Sequence, residues 1–142
     1  VKVALVAYLA WQVAFAGAAY EARLPLVPGI DLVLQADALA VLFVSLSSVL
    51  WLLATIYAVG YLEGAANRSR FFGFFSLCVA ATVGIAMAGN LLTFVLFYEI
   101  LTLATYPLVV HRETGTARRA GRIYLAYTLA GGMALMAGTA WL

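Results

Sequence analysis

The sequence predicts an all-α fold, a polytopic bundle of transmembrane helices, and two observations carry this prediction. Of the 142 residues, 66% are hydrophobic and 10% are charged, whereas a soluble domain is about half apolar and about a quarter charged. The apolar residues also fall into runs close to the roughly 20 residues with which a helix crosses a bilayer core. Because backbone groups in lipid must be hydrogen-bonded within their own segment, these runs are expected to be helices.

Five apolar runs, with short connections between them, make up one transmembrane region. The predicted helices cover about residues 3–19, 38–60, 71–88, 91–110 and 123–142. Residues 20–37 mix apolar residues with Pro25, Pro28 and Gly29, which predicts a structured loop, such as a small hairpin. Residues 111–122 are predicted to form a basic loop.

The basic residues are distributed unevenly between the two sides of the predicted bundle. With five crossings, one side carries seven of the eight Lys and Arg residues, and the other side carries only Arg23. The seven are Lys2, Arg68, Arg70, Arg112, Arg118, Arg119 and Arg122. By the positive-inside rule, the residue 1 end and the 111–122 loop are expected to be cytoplasmic.

The composition and the two ends of the chain limit the classes of function. The chain begins with Val1 and ends inside an apolar run at Leu142, so we expect an excerpt of a longer protein. One cysteine, Cys78, and one histidine form no metal or iron–sulfur site, so no cofactor is expected. No paired carboxylates or Ser/His arrangement indicate a catalytic residue. The net charge of +2, without a basic soluble face, gives no indication of a nucleic acid partner.

Glu99 is the residue with the strongest functional indication, because it is the ninth of twenty residues in the fourth run. At 1.5 Å rise per residue it lies roughly 12 Å from Leu91, near the middle of the membrane. A charged residue at that depth costs roughly 2.5–3.5 kcal/mol on insertion scales. We therefore expect Glu99 to face other helices or water, and to be protonated more often than a surface glutamate unless a cationic partner lies nearby. The alternative is a structural acid held by a hydrogen bond or an ion pair.

Hydroxyl side chains follow Glu99 on the same face of the predicted helix. Thr102 and Tyr106 occupy positions i+3 and i+7 relative to the glutamate, which share its face. Together with His111, just beyond the run, they are candidates for a proton relay. Hydrogen bonds to backbone or to neighbouring helices are the alternative for the two hydroxyls, and plain solvation is the alternative for the histidine.

Two further features concern the shape and packing of the helices. Pro107 lies two turns beyond Glu99 and removes one helical hydrogen bond, which makes it a candidate hinge or a simple kink near a helix end. Gly131 and Gly132 in the fifth run invite the close approach of another helix.

Four short stretches of the chain are similar to sequence motifs of a known protein family. They are Asp37-Ala38-Leu39-Ala40, Tyr57-Ala58-Val59-Gly60-Tyr61-Leu62, Arg70-Phe71-Phe72, and Asn90-Leu91-Leu92 through Phe97-Tyr98-Glu99 and Leu101-Thr102-Leu103 to Tyr106-Pro107-Leu108. In combination they resemble the antiporter-like membrane subunits shared by Mrp-type cation/proton antiporters, respiratory complex I and membrane-bound hydrogenases. The resemblance covers Asp37 to about Leu142. Ala40 stands where the family usually has Ser, and Tyr98 where Trp or Phe usually precedes the acidic residue.

The resemblance implies a larger fold and a role for Glu99. The five helices would be the second to sixth of about fourteen, in a bacterial or archaeal plasma membrane. Glu99 would match the family's essential intramembrane glutamate, whose lysine partner on a later helix is not in this sequence. Tyr98 and the stretch from Tyr106 to His111 resemble the D-type subunits of Mrp antiporters more than the core complex I subunits.

The implied function is proton translocation through Glu99 in a multisubunit membrane complex, in exchange for a monovalent cation such as sodium. One alternative is a proton-pumping membrane subunit of an NADH:quinone oxidoreductase or a hydrogenase, whose redox chemistry would lie in other subunits. Another, of a different class, is a structural scaffold subunit in which Glu99 could be replaced without loss of activity. The expected partners are the lipid bilayer, other membrane subunits, and the transported protons and cations.

Overall fold

The secondary structure is that of a helical membrane protein with one hairpin. A computed structural model describes residues 2–16, 20–27, 30–64, 67–111 and 114–141. The elements in chain order are α1 (Lys2–Ala16), β1 (Tyr20–Val27), β2 (Ile30–Ala36), α2 (Ala38–Tyr61), α3 (Arg68–Ala86), α4 (Leu91–Val109) and α5 (Gly115–Trp141). The predicted all-α bundle class is therefore confirmed, with the hairpin as an addition between α1 and α2.

Four of the described helices are long and apolar enough to cross a membrane, namely α2, α3, α4 and α5. The first helix, α1, is described over 15 residues. Residues 17–19, which the sequence prediction assigned to the first helix, lie outside the described residues. Many large apolar side chains on these helices are exposed, including Tyr57, Tyr127 and Met133, as expected for surfaces that meet lipid or other helices.

The start of α5 corrects the prediction of a basic loop over residues 111–122. The helix begins at Gly115, so most of that segment is helical. Thr114 caps the helix, because its hydroxyl oxygen accepts a hydrogen bond from the backbone N–H of Ala117 at 3.2 Å. Arginine and alanine have high helix propensity, although arginine interrupts an apolar run. The 27 residues of α5 span about 40 Å, so the helix is longer than a hydrocarbon core of about 30 Å.

The chain divides into two compact units. The first consists of Val1–Ala65 and Val83–Phe94, and the second of Ala66–Thr82 and Val95–Leu142. Helices α3 and α4 each contribute to both units.

The hairpin of the first unit joins α1 to α2. Strands β1 and β2 are antiparallel, with Tyr20 opposite Ala36 and Leu24 opposite Leu32, and the register shifts between Pro25 and Val27. Asp37, directly after β2, caps α2, because its Oδ1 atom accepts a hydrogen bond from the backbone N–H of Ala40 at 2.7 Å. This cap ties the end of the hairpin to the start of the first long helix.

The connection between α3 and α4 adds to the free edge of β2. The N–H of Gln35 donates to the carbonyl of Met87 at 2.7 Å, and the N–H of Gly89 donates to the carbonyl of Val33 at 2.8 Å. The hydroxyl of Thr93, in the first turn of α4, accepts from the N–H of Val33 at 2.9 Å. The start of α2 and the end of α3 therefore both lie at the hairpin.

The core of the first unit lies where α1 packs on α2. Val6 of α1 and Ala40 and Val44 of α2 are buried. Ala36, at the end of β2, is also buried beside them and is 1% exposed. Small side chains at these positions let the helices and the hairpin approach closely, as is usual in membrane bundles.

Candidate functional site

Glu99 lies near the middle of α4, at the ninth of its 19 residues. Roughly 12 Å of helix separate it from Leu91, the first residue of α4. The side chain is half-buried, and the second unit contains both Glu99 and the whole of α5. The carboxyl group therefore meets a neighbouring helix over part of its surface.

The carboxyl group of Glu99 lies against the backbone of Gly132 in α5. A Cβ atom added to Gly132 would overlap Glu99 Oε1 and would lie 2.9 Å from its Cδ and 3.3 Å from its Oε2. Gly132 is buried, so the missing side chain is the space that the carboxyl group fills. Position 132 accommodates glycine alone while Glu99 keeps this conformation.

The adjacent glycine of α5 has a different environment. A Cβ atom at Gly131 would meet nothing within 4 Å, and Gly131 is exposed. The two glycines are thus unequal, since one receives a carboxyl group and the other faces open space. The sequence indicated a close helix approach at this doublet but did not indicate that Glu99 makes it.

The predicted relay residues lie on α4 beyond Glu99, toward the C-terminal end of the helix. Thr102 is 4% exposed, and Tyr106 is half-buried, with its ring against Gly121 of α5, where an added Cβ would lie 2.9 Å from Tyr106 Cε2. Axial rises of about 4.5 Å and 6 Å separate Glu99, Thr102 and Tyr106 in turn. Proton transfer along this face therefore requires water between the side chains or movement of their rotamers.

His111 lies apart from this face of the helix. Its ring contacts Phe71 of α3 edge-on, with a centroid separation of 5.3 Å and an interplanar angle of 70°. Its Nδ1 atom is buried and has no hydrogen-bond partner among the described residues. Twelve residues of helical rise, about 18 Å, separate His111 from Glu99, so the structure does not bring these two side chains together.

Pro107 lies in the last turn of α4. The helix continues through it to Val109, and the N–H of Val110 donates to the carbonyl of Tyr106 at 3.1 Å. The helical bond that proline removes is therefore close to the end of the helix, and the backbone pairing resumes directly after it.

A second polar contact between helices, absent from the sequence prediction, joins α3 to α4 in the second unit. The sulfur of Cys78, which is 2% exposed, lies 3.7 Å from the hydroxyl of Thr105. That hydroxyl also donates to the carbonyl of Leu101 at 2.7 Å. The hydroxyl is thus satisfied within its own helix, which is the pattern of a packing contact.

Two family models match separate parts of the chain. Residues 28–72 match the model described as NADH-ubiquinone oxidoreductase (complex I), chain 5 N-terminus. Residues 88–142, which include Glu99 and Gly132, match the model described as NADH:quinone oxidoreductase/Mrp antiporter, transmembrane region. Both segments are homologous to antiporter-like membrane subunits. With four candidate membrane-spanning helices among its described residues, the chain is an integral membrane protein with two segments similar to these models.

Curated bacterial proteins are similar to the chain over most of its length. The probable A/B subunit of the K(+)/H(+) antiporter of Rhizobium meliloti is 28% identical over 125 residues, 86% of this chain and 12% of the relative. The A1 subunit of the Na(+)/H(+) antiporter of Staphylococcus haemolyticus is 27% identical over 111 residues, 78% of this chain and 14% of the relative. Component B of hydrogenase-4 of Escherichia coli is 28% identical over 108 residues, 75% of this chain and 16% of the relative. The chain thus spans less than a fifth of each of these relatives.

Proposed function

We propose that this chain contributes the mid-membrane proton carrier of an antiporter-like protein, and that Glu99 is that carrier. The observation that carries the proposal is the placement of the Glu99 carboxyl group halfway along α4 and against the backbone of Gly132. An ionisable group at mid-membrane depth is costly to keep, so it is usually functional. Here it is directed at a position in α5 that has no side chain.

The contact with Gly132 suits a group that gains and loses a proton. A glycine leaves the carboxyl group beside backbone rather than beside a methyl group, so the carboxyl group can lie between α4 and α5 instead of facing lipid. A half-buried carboxyl group between two helices can exist in both protonation states at less cost than one that faces lipid. Thr102 and Tyr106 would pass protons between Glu99 and the end of α4, with intervening water.

His111 and Pro107 have supporting parts in this proposal. The unpartnered Nδ1 of His111 would provide a further proton acceptor beyond the end of α4. Pro107, in the last turn of α4, would allow that turn to move without breaking the helix around Glu99. Movement there would open or close the route between Tyr106 and the surface.

The relatives' names support proposals for the transported cation and the coupling partner. The relatives named for K(+)/H(+) and Na(+)/H(+) antiporters favour exchange of a monovalent cation for protons within a complex of several membrane proteins. A second candidate is a proton-pumping component of a redox complex, because one family model is named for complex I and one relative for hydrogenase-4. These antiporter relatives are of the A/B and A1 types, so the D-type assignment rests on Tyr98 and the 106–111 stretch alone.

The orientation of the helices also belongs to the proposal. The pairing of β2 with the α3–α4 connection fits an arrangement in which the hairpin and that connection share one side of the membrane. The segments 62–70 and 111–122 would then share the opposite side, together with six of the eight basic residues. The positive-inside rule makes that side cytoplasmic.

The deciding experiment is proton and cation transport by the native complex in inverted membrane vesicles, comparing wild type with Glu99→Gln. A dye that reports the pH difference across the membrane would be read after addition of sodium, potassium or the redox donor. Glu63→Gln is the matched control, because Glu63 is exposed and lies outside the helices. Assembly would be checked by the amount of complex purified from each strain.

The two outcomes separate the carrier from the scaffold. We expect Glu99→Gln to abolish proton movement with each coupling substrate, while Glu63→Gln retains it. Which substrate drives transport in the wild type decides between cation exchange and redox coupling. Unchanged transport in Glu99→Gln at normal assembly would make the glutamate structural and favour a scaffold role.

A further inference from the structure

An open cavity in the second unit lies at one end of the helices, away from Glu99. Its volume is about 500 Å³, and three helix ends form its walls. The lining residues are Arg70 and Phe74 of α3, Tyr106, Pro107 and Val110 at the end of α4, and Arg118 of α5. The proposed proton pathway uses Tyr106 and Pro107 but gives the two arginines no part.

A close approach of α5 to α4 shapes one wall of this cavity. A Cβ atom at Gly121 would overlap Val110 Cγ2 and would lie 2.9 Å from Tyr106 Cε2. Gly121 is buried, so the first turns of α5 lie directly on the last turn of α4. Arg118, three residues before Gly121, is held at the rim of the cavity as a result.

The charge around the cavity is positive. Arg70 and Arg118 are both exposed, and each lies within the first turn of its helix. Among the described residues of this unit, the acidic side chains are limited to Glu99, about 10 Å along α4 from Tyr106. Glu113 lies outside the described residues. Two arginines beside a cavity suit an anion, and the planar guanidinium group binds phosphate oxygens in pairs.

The position of the cavity and its apolar lining residues indicate which kind of anion it would bind. The three helices are candidate membrane spans, so their ends lie near the depth of the lipid headgroups. Phe74, Pro107 and Val110 give the cavity an apolar wall, which a free phosphate ion would not use and an acyl chain or glycerol backbone would. Basic pockets between transmembrane helices are known to suit anionic lipid headgroups.

We propose that this cavity binds one anionic phospholipid, with the phosphodiester on Arg70 and Arg118 and the glycerol and upper acyl chains against Phe74 and Val110. The two arginines lie apart from Glu99, although Tyr106 and Pro107 of the proposed proton route also line the cavity. The lipid would fill the space between the ends of α3, α4 and α5 and hold these ends together in the leaflet where α3 begins.

The test is retention of phospholipid by the native complex, measured by native mass spectrometry after delipidation and exchange with vesicles. One vesicle preparation is pure phosphatidylcholine and the other contains phosphatidylglycerol. The variant is Arg70→Gln with Arg118→Gln, and the matched control is Arg119→Gln with Arg122→Gln, which removes two nearby exposed arginines outside the cavity. A charge-retaining variant, Arg70→Lys with Arg118→Lys, guards against a folding defect in the first.

We expect phosphatidylglycerol affinity to fall about tenfold or more in the cavity variant, since each basic residue near anionic lipid contributes roughly a fivefold factor and two are removed. The control and the lysine variant should keep most of it, and inorganic phosphate at millimolar concentration should not displace the lipid. Equal retention in all variants would overturn the site. Displacement of the lipid by phosphate alone would identify a free anion site. If a neighbouring protein of the complex occupies the cavity, the variants and the wild type would retain the same amount of lipid. Either result would overturn the lipid assignment.

Discussion

The carboxyl group of Glu99 occupies the space that a side chain at Gly132 would fill. A Cβ atom at position 132 would lie 2.9 Å from Glu99 Cδ, with still closer overlap at Oε1. Because atoms in a packed interior cannot overlap, Gly132 and the present Glu99 conformation depend on each other. The relationship predicts coupled behaviour of two residues that are 33 positions apart in the sequence.

Gly132→Ala is therefore expected to impair proton transport while Glu99 itself is unchanged. The added methyl group would push the carboxyl group from its place, and a displacement of about 1 Å at a reacting group can cost on the order of 100-fold in rate. We expect transport to fall about tenfold or more in inverted vesicles. Overpacking should also lower the free energy of unfolding by about 1–3 kcal/mol.

Gly131→Ala is the control for this prediction, because its Cβ would meet nothing within 4 Å. Both changes raise helix propensity equally, so a difference between the two variants isolates the contact with Glu99. Equal transport in Gly131→Ala and Gly132→Ala would mean that the carboxyl group does not need this place.

The sequence was sufficient to predict the helices because burial in lipid requires long apolar segments. α2 and α4 begin and end within one residue of the runs that predicted them. The start of α5 is earlier than predicted because Arg118, Arg119 and Arg122 lie before the apolar run but are still compatible with a helix. A hydropathy pattern indicates which residues lie in lipid and does not indicate where a helix begins. The cap at Thr114 sets the start of α5 by a local hydrogen bond that hydropathy does not reflect.

The candidate site was only partly predictable for a related reason. Depth along α4 follows from counting residues, so the sequence alone singles out Glu99. The contact partner depends on how α5 packs, and neighbouring glycines at 131 and 132 look alike until that packing is known. Proximity in sequence groups His111 with the relay, whereas its ring contacts Phe71 of another helix.

Gly89→Ala is expected to weaken the packing of the α3–α4 connection against strand β2 of the hairpin. An added Cβ would lie 2.7 Å from Val33 Cγ1 and 3.3 Å from Gln35 Cβ, against a strand held by two backbone hydrogen bonds. We expect a loss of about 1–3 kcal/mol in unfolding free energy, measured by thermal unfolding in detergent. Gly60→Ala, whose Cβ would meet nothing within 4 Å, should not lower the unfolding temperature; a matching loss there would argue against the contact.

Thr93→Val is expected to weaken the same docking by removing one acceptor. Thr93 is fully buried, at 0% exposure, and its hydroxyl accepts from the N–H of Val33 at 2.9 Å. The variant keeps the side-chain shape but leaves that N–H unsatisfied, which costs about 1–3 kcal/mol. Amide hydrogen exchange at Val33 should become faster. Thr82→Val, whose hydroxyl bonds within its own helix to the carbonyl of Cys78, should leave exchange at Val33 unchanged.

The orientation can be tested with single cysteines on the two proposed sides of the membrane. In a Cys78→Ser background, Asp31→Cys would report the hairpin side and Thr116→Cys the side where α5 begins, since both positions are exposed. Positive charge is retained on the cytoplasmic side of membrane proteins, so a membrane-impermeant maleimide should label position 116 in inverted vesicles and position 31 in right-side-out vesicles. Three proposed crossings, by α2, α3 and α4, separate the two positions. Labelling of both positions from one side would therefore contradict this topology. Reversed labelling would invert the bundle and place the arginines of the lipid cavity in the outer leaflet.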